Sequence, residues 1–432
     1  MKKSVKEYNK IGETLHFCEL DNGLRICVVP KKGFSSCYAV LATNYGGAMR
    51  RFEVDGKVLD TPAGIAHFLE HKMFDMPDGS NVMKLFSEHG ADPNAYTSSG
   101  ETCYHFSCTS DFEENLRLLL KYVYTPYFTP ETVQKEQGII GQEILMGLDA
   151  PGSRVYYDLL SLLYDHHPIK DQVAGTVESI AQITDQTLYD CHRIFYSPSN
   201  MVLAVEGDVD PEAVFAIAEE MLPAQRMPVP HADYGEAESL LPLKTRISRE
   251  MPVSAPLYYI GAKVPYIPAT AEDDGHACLK DGLVGDLALK LLLGRSSPFY
   301  TRLYASGLLT LNFDYEYFSS AETSMVIIGG ESPDPEKVYS ELVNEVSTLT
   351  KKGFDPDYFN RAYRSTIGAR LRGSDNFDDV CDDLALGILE GYCDFDAAAL
   401  METVTCKDCE NWIAANLTPE RLAMAVIMPV KA

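Results

Sequence analysis

The sequence predicts an α+β protein made of two copies of one α/β unit, each with a mostly antiparallel sheet flanked by helices. At 432 residues the chain is too long for a single ordinary core. Residues 106–140 and 327–367 repeat one order of elements: a strand, an acidic turn and a helix, then an F-x-P-(D/E) motif that opens another helix. A proline-rich, polar segment at 227–245 lies between the two copies and is typical of a linker.

In the first copy, runs of β-branched and apolar residues alternate with stretches that have helical spacing. The predicted elements are strands at 24–30 and 37–47, a helix at 61–74, a hairpin at 95–110, a helix at 112–123, a long helical region at 130–164, and a strand, turn and helix at 199–222. These elements predict an N-terminal domain at 1–226, the linker at 227–245, and a C-terminal domain of similar fold at 246–432.

Composition excludes several classes of protein. The net charge of −26 argues against a nucleic-acid binder, because few cations are available to replace the counterions around phosphates. The opening MKKSVKEYNKIGE has no apolar core of a secretory signal, and no stretch approaches the length of a membrane span. Eleven scattered cysteines indicate reduced thiols and a cytoplasmic location, and a structural role is expected for the CKDC motif at 406–409.

The helix at 61–74 contains the motif H-x-x-E-H. Thr61 and Pro62 suit an N-cap and a first helical residue, because proline at that position gives up no useful N–H. His67 and His71 are one turn apart on one side of the helix. Apolar residues at helical spacing predict that another side is buried, namely Ile65, Phe68, Leu69 and Met73.

The spacing of these histidines lets two imidazoles reach one metal ion at about 2.0–2.1 Å. Glu70 lies on the flank of the same face. The alternative is a helix with two polar positions that happen to be histidine. The second copy has no such motif, and Ala362 falls where the first copy has Glu136, so any metal chemistry belongs to domain 1–226.

A catalytic zinc ion usually has three protein ligands and one open position, so one ligand is still to be found. The candidates by residue type are Glu101, His89, His105, Glu136, Glu143 and the pair His166–His167. Glu136 and Glu143 are the most suggestive, because they share one helical face among isoleucines, where unpaired carboxylates are costly. They are about 10.5 Å apart along a helix, so only one can be a ligand. The alternative is a salt-bridged surface face, given the nearby Lys135.

The sequence resembles the insulinase/pitrilysin zinc peptidases, also called inverzincins, whose motif reverses the order H-E-x-x-H. The resemblance covers essentially the whole chain. The matching stretches are GIAHFLEHKMF at 64–74, NAYTS at 94–98, E-x6-E-I at 136–144, DAP at 149–151, HP at 167–168, GTVESI at 175–180 and SPSNMVLAVEGDV at 197–209.

This resemblance implies one Zn²⁺ per chain, held by His67, His71 and Glu143. It implies that Glu70 is the general base and that Glu136 is an acid of the catalytic site just outside the ligands. Substrates of the family lie as extended strands against a sheet edge. The resemblance places that edge at Asn94, Ala95, Tyr96 and Thr97.

The resemblance also implies half of a clamshell, because the family's chamber has four repeats and this chain supplies two. Active members offer an arginine and, a few residues on, a tyrosine from the second half. Tyr304 and Thr310 occupy those positions here, and Arg302 and Tyr315 are out of register. We therefore expect a zinc endopeptidase that works in a dimer with a related subunit, with a heterodimer favoured over a homodimer. The alternative is a catalytically weak subunit that binds peptides or has a structural role.

Overall fold

The computed structural model describes residues 1–430, in which strands and helices alternate as the sequence predicts. The strands are β1 (Lys2–Tyr8), β2 (Glu13–Glu19), β3 (Arg25–Pro30), β4 (Cys37–Thr43), β5 (Arg51–Val54), β6 (Lys57–Asp60), β7 (Ala91–Thr97), β8 (Thr102–Cys108), β9 (Met201–Gly207), β10 (His231–Ala232), β11 (Arg246–Met251), β12 (Leu257–Val264), β13 (Asp314–Ser320), β14 (Thr323–Glu331) and β15 (Ala423–Pro429).

The α-helices include those that pack on the faces of the sheets. They are α1 (Ile65–Met73), α2 (Val82–Glu88), α3 (Phe112–Val123), α4 (Pro130–Asp149), α5 (Pro151–Leu163), α6 (Val177–Ile180), α7 (Asp185–Phe195), α8 (Pro211–Met221), α9 (His276–Leu293), α10 (Pro298–Ala305), α11 (Pro335–Lys352), α12 (Pro356–Gly373), α13 (Phe377–Glu390), α14 (Ala397–Met401) and α15 (Cys406–Asn416). No helix within residues 1–430 has the length and apolar character that crossing a membrane requires.

Two large sheets organise the chain. The first has seven strands in the order β1-β2-β3-β9-β4-β8-β7, and only β3 and β9 are parallel neighbours. The second has five strands in the order β11-β15-β12-β14-β13, and only β11 and β15 are parallel. A small sheet joins β10, β5 and β6. The predicted fold class, α+β with mostly antiparallel sheets in two related units, is confirmed.

The chain forms two compact units, and neither is continuous in sequence. The first unit contains residues 1–144, 171–234 and 370–396, and the second contains 145–170, 235–369 and the chain from 397 onward. The predicted boundaries at 1–226 and 246–432 therefore differ from these units in two segments. One segment contains α5, which packs on β12 and β15 of the second sheet, and the other contains α13, which packs on β4 and β9 of the first sheet.

In the first unit, helices cover both faces of the sheet, which explains why a central strand is buried throughout. All seven residues of β4, which reads CYAVLAT, are buried. On one face the sheet packs against α1, α3 and α8. On the other face, Val40, Ala42, Val202 and Ala204 pack against α13.

In the second unit, β12, β14 and β15 pack against α5 in one apolar core, and α9, α11 and α15 also contact this sheet. The linker predicted at 227–245 is almost without regular structure, but it is held in place. His231 and Ala232 pair with β5, and Leu243 donates a backbone hydrogen bond to Leu162.

Candidate metal centre

Helix α1, which carries the H-x-x-E-H motif, begins at Ile65, so the prediction of an N-cap at Thr61 is wrong. The Thr61 hydroxyl instead donates a hydrogen bond to the carbonyl of Arg50 at 3.1 Å. The residue before the helix is Gly64, with φ of 91° in the left-handed region. A Cβ at Gly64 would collide with the carbonyl of Ala174, so this contact sets the start of the helix.

The apolar side of α1 is buried in the core of the first unit, as the helical spacing predicts. Its buried members are Ile65, Ala66, Phe68, Leu69 and Met73. His67 and His71 lie on the other side and remain partly accessible, with ring centroids 4.6 Å apart. Packing therefore fixes the helix and turns both imidazoles away from the core.

His67, His71 and Glu143 form the only group of three side chains within residues 1–430 that could hold a metal ion. Their ligand atoms all lie within 4.8 Å of one another. His67 Nε2 is 3.5 Å from Glu143 Oε1, and His71 Nε2 is 3.7 Å from Glu143 Oε2. Glu143 comes from α4, and half of its side chain is exposed.

The spacing of these three groups fits a zinc ion. Both N···O separations exceed the usual hydrogen-bond range of about 2.7–3.2 Å, so the groups converge without bonding each other. Tetrahedral zinc with ligands at about 2.0–2.1 Å separates neighbouring ligand atoms by about 3.4 Å. Two imidazoles and one carboxylate are also the ligand types of a catalytic zinc with an open position.

Glu136, which lies on α4 seven residues before Glu143, contacts the other ring nitrogen of His71. Its Oε1 lies 3.0 Å from His71 Nδ1. This hydrogen bond favours the tautomer with a proton on Nδ1 and leaves Nε2 free toward Glu143. The two carboxylates therefore have different positions, since Glu143 lies among the candidate ligand atoms and Glu136 orients a histidine.

The two histidines differ in their electrostatic surroundings. Burial lowers the pKa of His67 to about 4, helped by the neighbouring His71, so its imidazole is neutral at pH 7. Burial also lowers the pKa of His71, but the hydrogen bond that His71 Nδ1 donates to Glu136 and the nearby carboxylates outweigh burial and leave the pKa above its usual value.

Glu70 is buried beside the histidines, with 8% of its surface exposed. The Thr97 hydroxyl donates a hydrogen bond to Glu70 Oε2 at 2.7 Å. Burial raises the pKa of Glu70, and the hydrogen bond from Thr97 partly opposes this effect. A carboxyl in such a setting is suited to exchanging a proton.

The four residues predicted to bind substrate lie on β7, an edge strand of the first sheet that contacts α1. Asn94 is exposed and accepts a hydrogen bond from the backbone N–H of Ala95 at 2.9 Å. The Tyr96 hydroxyl donates to Asp382 at 3.1 Å. The side chains of Tyr96 and Thr97 therefore hold the edge strand in place, and the strand's outer backbone groups face outward.

The remaining candidates for a third ligand are not part of this cluster. His89 caps the end of α2, His105 lies on β8, and burial raises the pKa of Glu101. In the second unit, His166 and His167 each contact a backbone carbonyl through Nε2, at 2.7 and 3.0 Å. In the CKDC segment, Cys406 begins α15 and Cys409 is buried.

Comparison with known proteins decides the family. Residues 56–177 match the family model described as "Insulinase (Peptidase family M16)", and residues 182–365 match "Peptidase M16 inactive domain". The uncharacterised zinc protease YmfH of Bacillus subtilis (strain 168) is 35% identical over 434 residues, which is 98% of each chain. The chain belongs to the insulinase family, peptidase family M16.

Solved structures of M16 proteins have the same fold. A putative M16-like peptidase from Alicyclobacillus acidocaldarius superposes with a TM-score of 0.92 and 30% identity, covering 100% of this chain and 99% of that one. Pitrilysin superposes with a TM-score of 0.77 and 16% identity, covering 100% of this chain but only 46% of the other. The chain thus has the fold of about half of pitrilysin, which agrees with the predicted half-clamshell.

The positions at which M16 resemblance calls for arginine and tyrosine lie in the second unit. Tyr304 on α10 is 45% exposed and stacks on Tyr300 at a ring distance of 5.5 Å. Arg302, the nearby arginine, is held by Glu341 and Glu345 at 3.0 and 3.1 Å. Position 304 therefore has no guanidinium, and the guanidinium of Arg302 is already paired with two glutamates.

Sequence reasoning missed one residue, Asp382, and one contact of Thr97 around this M16 site. Asp382 accepts a hydrogen bond from Tyr96 although it lies 286 residues away, in α13. No local pattern in the sequence points to this contact, because it depends on which sheet α13 covers. The resemblance places Thr97 on the strand edge, but its hydrogen bond to Glu70 depends on the exact register of β7 beside α1.

Proposed function

We propose that this chain is a zinc-dependent endopeptidase that cleaves extended peptides, with His67, His71 and Glu143 as zinc ligands and Glu70 as general base. The observation that carries the proposal is the convergence of those three ligand atoms beside a buried carboxyl. Membership of a family whose relatives include zinc proteases supports the metal. One ion per chain follows from one cluster among residues 1–430.

The chain's own residues divide the work of hydrolysis. A bound zinc ion supplies Lewis acidity, which polarises a peptide carbonyl and acidifies water. Glu70 takes a proton from the attacking water and returns it to the nitrogen of the leaving amine. Glu136 holds the proton on His71 Nδ1, so that Nε2 keeps its lone pair for the metal.

The edge strand β7 supports extended peptides as the substrate class. An edge strand offers unpaired backbone N–H and C=O groups, to which a peptide can add as a further strand. Because β7 contacts α1, a peptide bound along Asn94 to Thr97 would run close to the motif helix. Such binding reads mainly the peptide backbone, so it favours a broad range of sequences.

We further propose that the working form is a dimer with a related subunit in the cytoplasm. The chain covers only 46% of pitrilysin, which supports a second half supplied by another chain. Tyr304 and Thr310 stand where arginine and tyrosine are expected, so a different subunit that supplies these groups is favoured over a second copy. All eleven cysteines have free thiols, which suits a reducing compartment.

The alternative function is a catalytically weak subunit that binds peptides or has a structural role. Tyr304 and Thr310 favour this alternative. The buried Glu70 favours the enzyme, because a purely structural zinc site closes all four positions and needs no base.

The experiment that separates the two functions replaces Glu70 with glutamine. Glu70→Gln keeps the size of the side chain but removes the base, so zinc content and peptide binding should stay while turnover falls by roughly 10²–10⁴. Zinc analysis, peptide binding and a peptidase assay measure the three quantities. Turnover near the wild-type value would show that another group activates the water.

A further inference from the structure

Thr97 is the residue that contacts the carboxylate of Glu70. Its Oγ1 lies 2.7 Å from Glu70 Oε2. No other residue within 1–430 makes a hydrogen bond to the Glu70 side chain, so Oε1 has no partner from the protein. One hydroxyl therefore distinguishes the two oxygens of the carboxylate.

The direction of this hydrogen bond follows from the neighbouring threonine. Thr97 and Thr102 face each other across β7 and β8, with their Oγ1 atoms 3.3 Å apart. Thr102 donates its only hydroxyl proton to the carbonyl of Tyr45 at 2.8 Å. Thr102 is left as an acceptor, and an ionised Glu70 is acceptor-only, so the Thr97 proton points to the carboxylate.

Thr97 is itself held at a fixed place on the sheet. The register aligns Thr97, Thr102 and Thr43 in one row across β7, β8 and β4. Thr102 and Thr43 are fully buried, and Thr43 donates to the carbonyl of Phe195 at 2.7 Å. A β-branched side chain on a strand has few χ1 states, so the Thr97 hydroxyl has little freedom.

We propose that Thr97 is a positioning residue that orients Glu70, so that Oε2 is held by the protein and Oε1 receives the proton from water. This inference rests on the proposed role of Glu70 as general base. The Thr97 side chain, which the resemblance assigns to substrate binding, then acts through Glu70 instead. A carboxylate that loses this hydrogen bond rotates away from the productive geometry.

The test compares Thr97→Val with Thr97→Ser in the assembly that gives wild-type activity. Valine keeps the shape of threonine but has no hydroxyl, so kcat should fall about 10–100-fold with KM and zinc content unchanged, as a misplacement of about 1 Å predicts. Serine restores the hydroxyl and should recover most of kcat. Thr125→Val is the matched control, because Thr125 lies just after α3 and its hydroxyl donates only to the carbonyl of Lys121, at 2.6 Å.

A crystal structure of the metal-free Thr97→Val protein provides a measurement that does not depend on activity. The Glu70 carboxylate should leave its wild-type position by about 1 Å or more, and it should return in Thr97→Ser. An unmoved carboxylate in Thr97→Val would overturn the inference.

The kinetic outcomes separate this inference from the proposed function. An inactive Glu70→Gln together with a Thr97→Val that keeps its kcat would refute the positioning role alone. A raised KM with unchanged kcat in Thr97→Val would refute it as well, since that result marks direct substrate binding. Wild-type turnover in Glu70→Gln would instead refute the proposed function on which the inference rests.

Discussion

His67 and His71 show how two residues of one motif acquire different properties at the scale of single side chains. Both come from the same face of α1, yet only His71 is bonded by a carboxylate, Glu136, at 3.0 Å. His67 keeps a buried Nδ1 without a hydrogen-bond partner among the described residues. The i,i+4 spacing is local, so the sequence alone predicts that both histidines can bind one metal ion. It cannot predict these surroundings, because they come from α4.

At this scale we predict that zinc binding depends unequally on the ligands. His71→Ala removes a proposed ligand and should abolish zinc binding, whereas Glu143→Gln keeps a weaker oxygen ligand at the other proposed position and should only reduce affinity. Zinc content after purification and a zinc titration measure the two effects. His231→Gln is the control, because His231 is exposed on the short strand β10. This variant should bind zinc as the wild-type protein does. Unchanged zinc in both ligand variants would contradict the site.

The start of α1 is the feature at the scale of elements that most affects the site. Thr61 and Pro62 have the local signature of a helix start, but Gly64 occupies the position before the helix. Glycine is favoured there for two reasons, because φ is left-handed and because a Cβ would collide with the carbonyl of Ala174. Local sequence therefore predicts the helix itself correctly, while its first residue is set by a segment more than a hundred positions away.

We predict that Gly64→Ala destabilises the protein and weakens zinc binding together. The left-handed φ and the collision with Ala174 should lower the free energy of unfolding by about 2 kcal/mol or more. His67 lies in the first turn, so a shifted helix start should also move this proposed zinc ligand. Chemical denaturation and a zinc titration provide the measurements.

Gly138→Ala is the matched control for this prediction. Gly138 lies within α4, and a Cβ there would meet nothing within 4 Å. Alanine at such a position should raise the free energy of unfolding by about 0.5–1 kcal/mol. Equal effects of the two substitutions would contradict the role of Gly64.

At the scale of the whole molecule, we predict that full peptidase activity requires a second, related subunit. A closed chamber excludes water and holds the peptide in place, so half a chamber should bind substrate loosely. The groups that stabilise the oxyanion must also come from another chain, because Tyr304 and Thr310 replace the expected arginine and tyrosine. Peptide hydrolysis is measured at rising concentrations of the chain, and then with a related chain that has both groups.

A double variant sharpens this experiment. Tyr304 is exposed and Thr310 is half-buried, so Tyr304→Arg with Thr310→Tyr should be tolerated and should raise the activity measured without the related chain. Strong activity from a strictly monomeric wild-type chain would refute the requirement for a partner. Strong activity from a wild-type homodimer would refute only the requirement for a different subunit.

The sequence predicts the repeated α/β unit well, because strand and helix periodicities are local and both copies have them. The sequence does not predict which helix packs on which sheet. The amphipathic pattern of α5 or α13 shows that one side is buried, but not which sheet buries it. The contact of Asp382 with Tyr96 on the first sheet can therefore be found only once the packing of α13 is known.

The late position of α13 has a consequence for synthesis on the ribosome. The first sheet is fully translated by residue 207, yet the helix that covers Val40, Ala42, Val202 and Ala204 begins only at Phe377. At about 5–20 residues per second, these apolar side chains stay uncovered in the nascent chain for on the order of ten seconds. The nascent N-terminal half therefore exposes an apolar face of the sheet, and a chain that ends at residue 226 would lack the helix that covers this face.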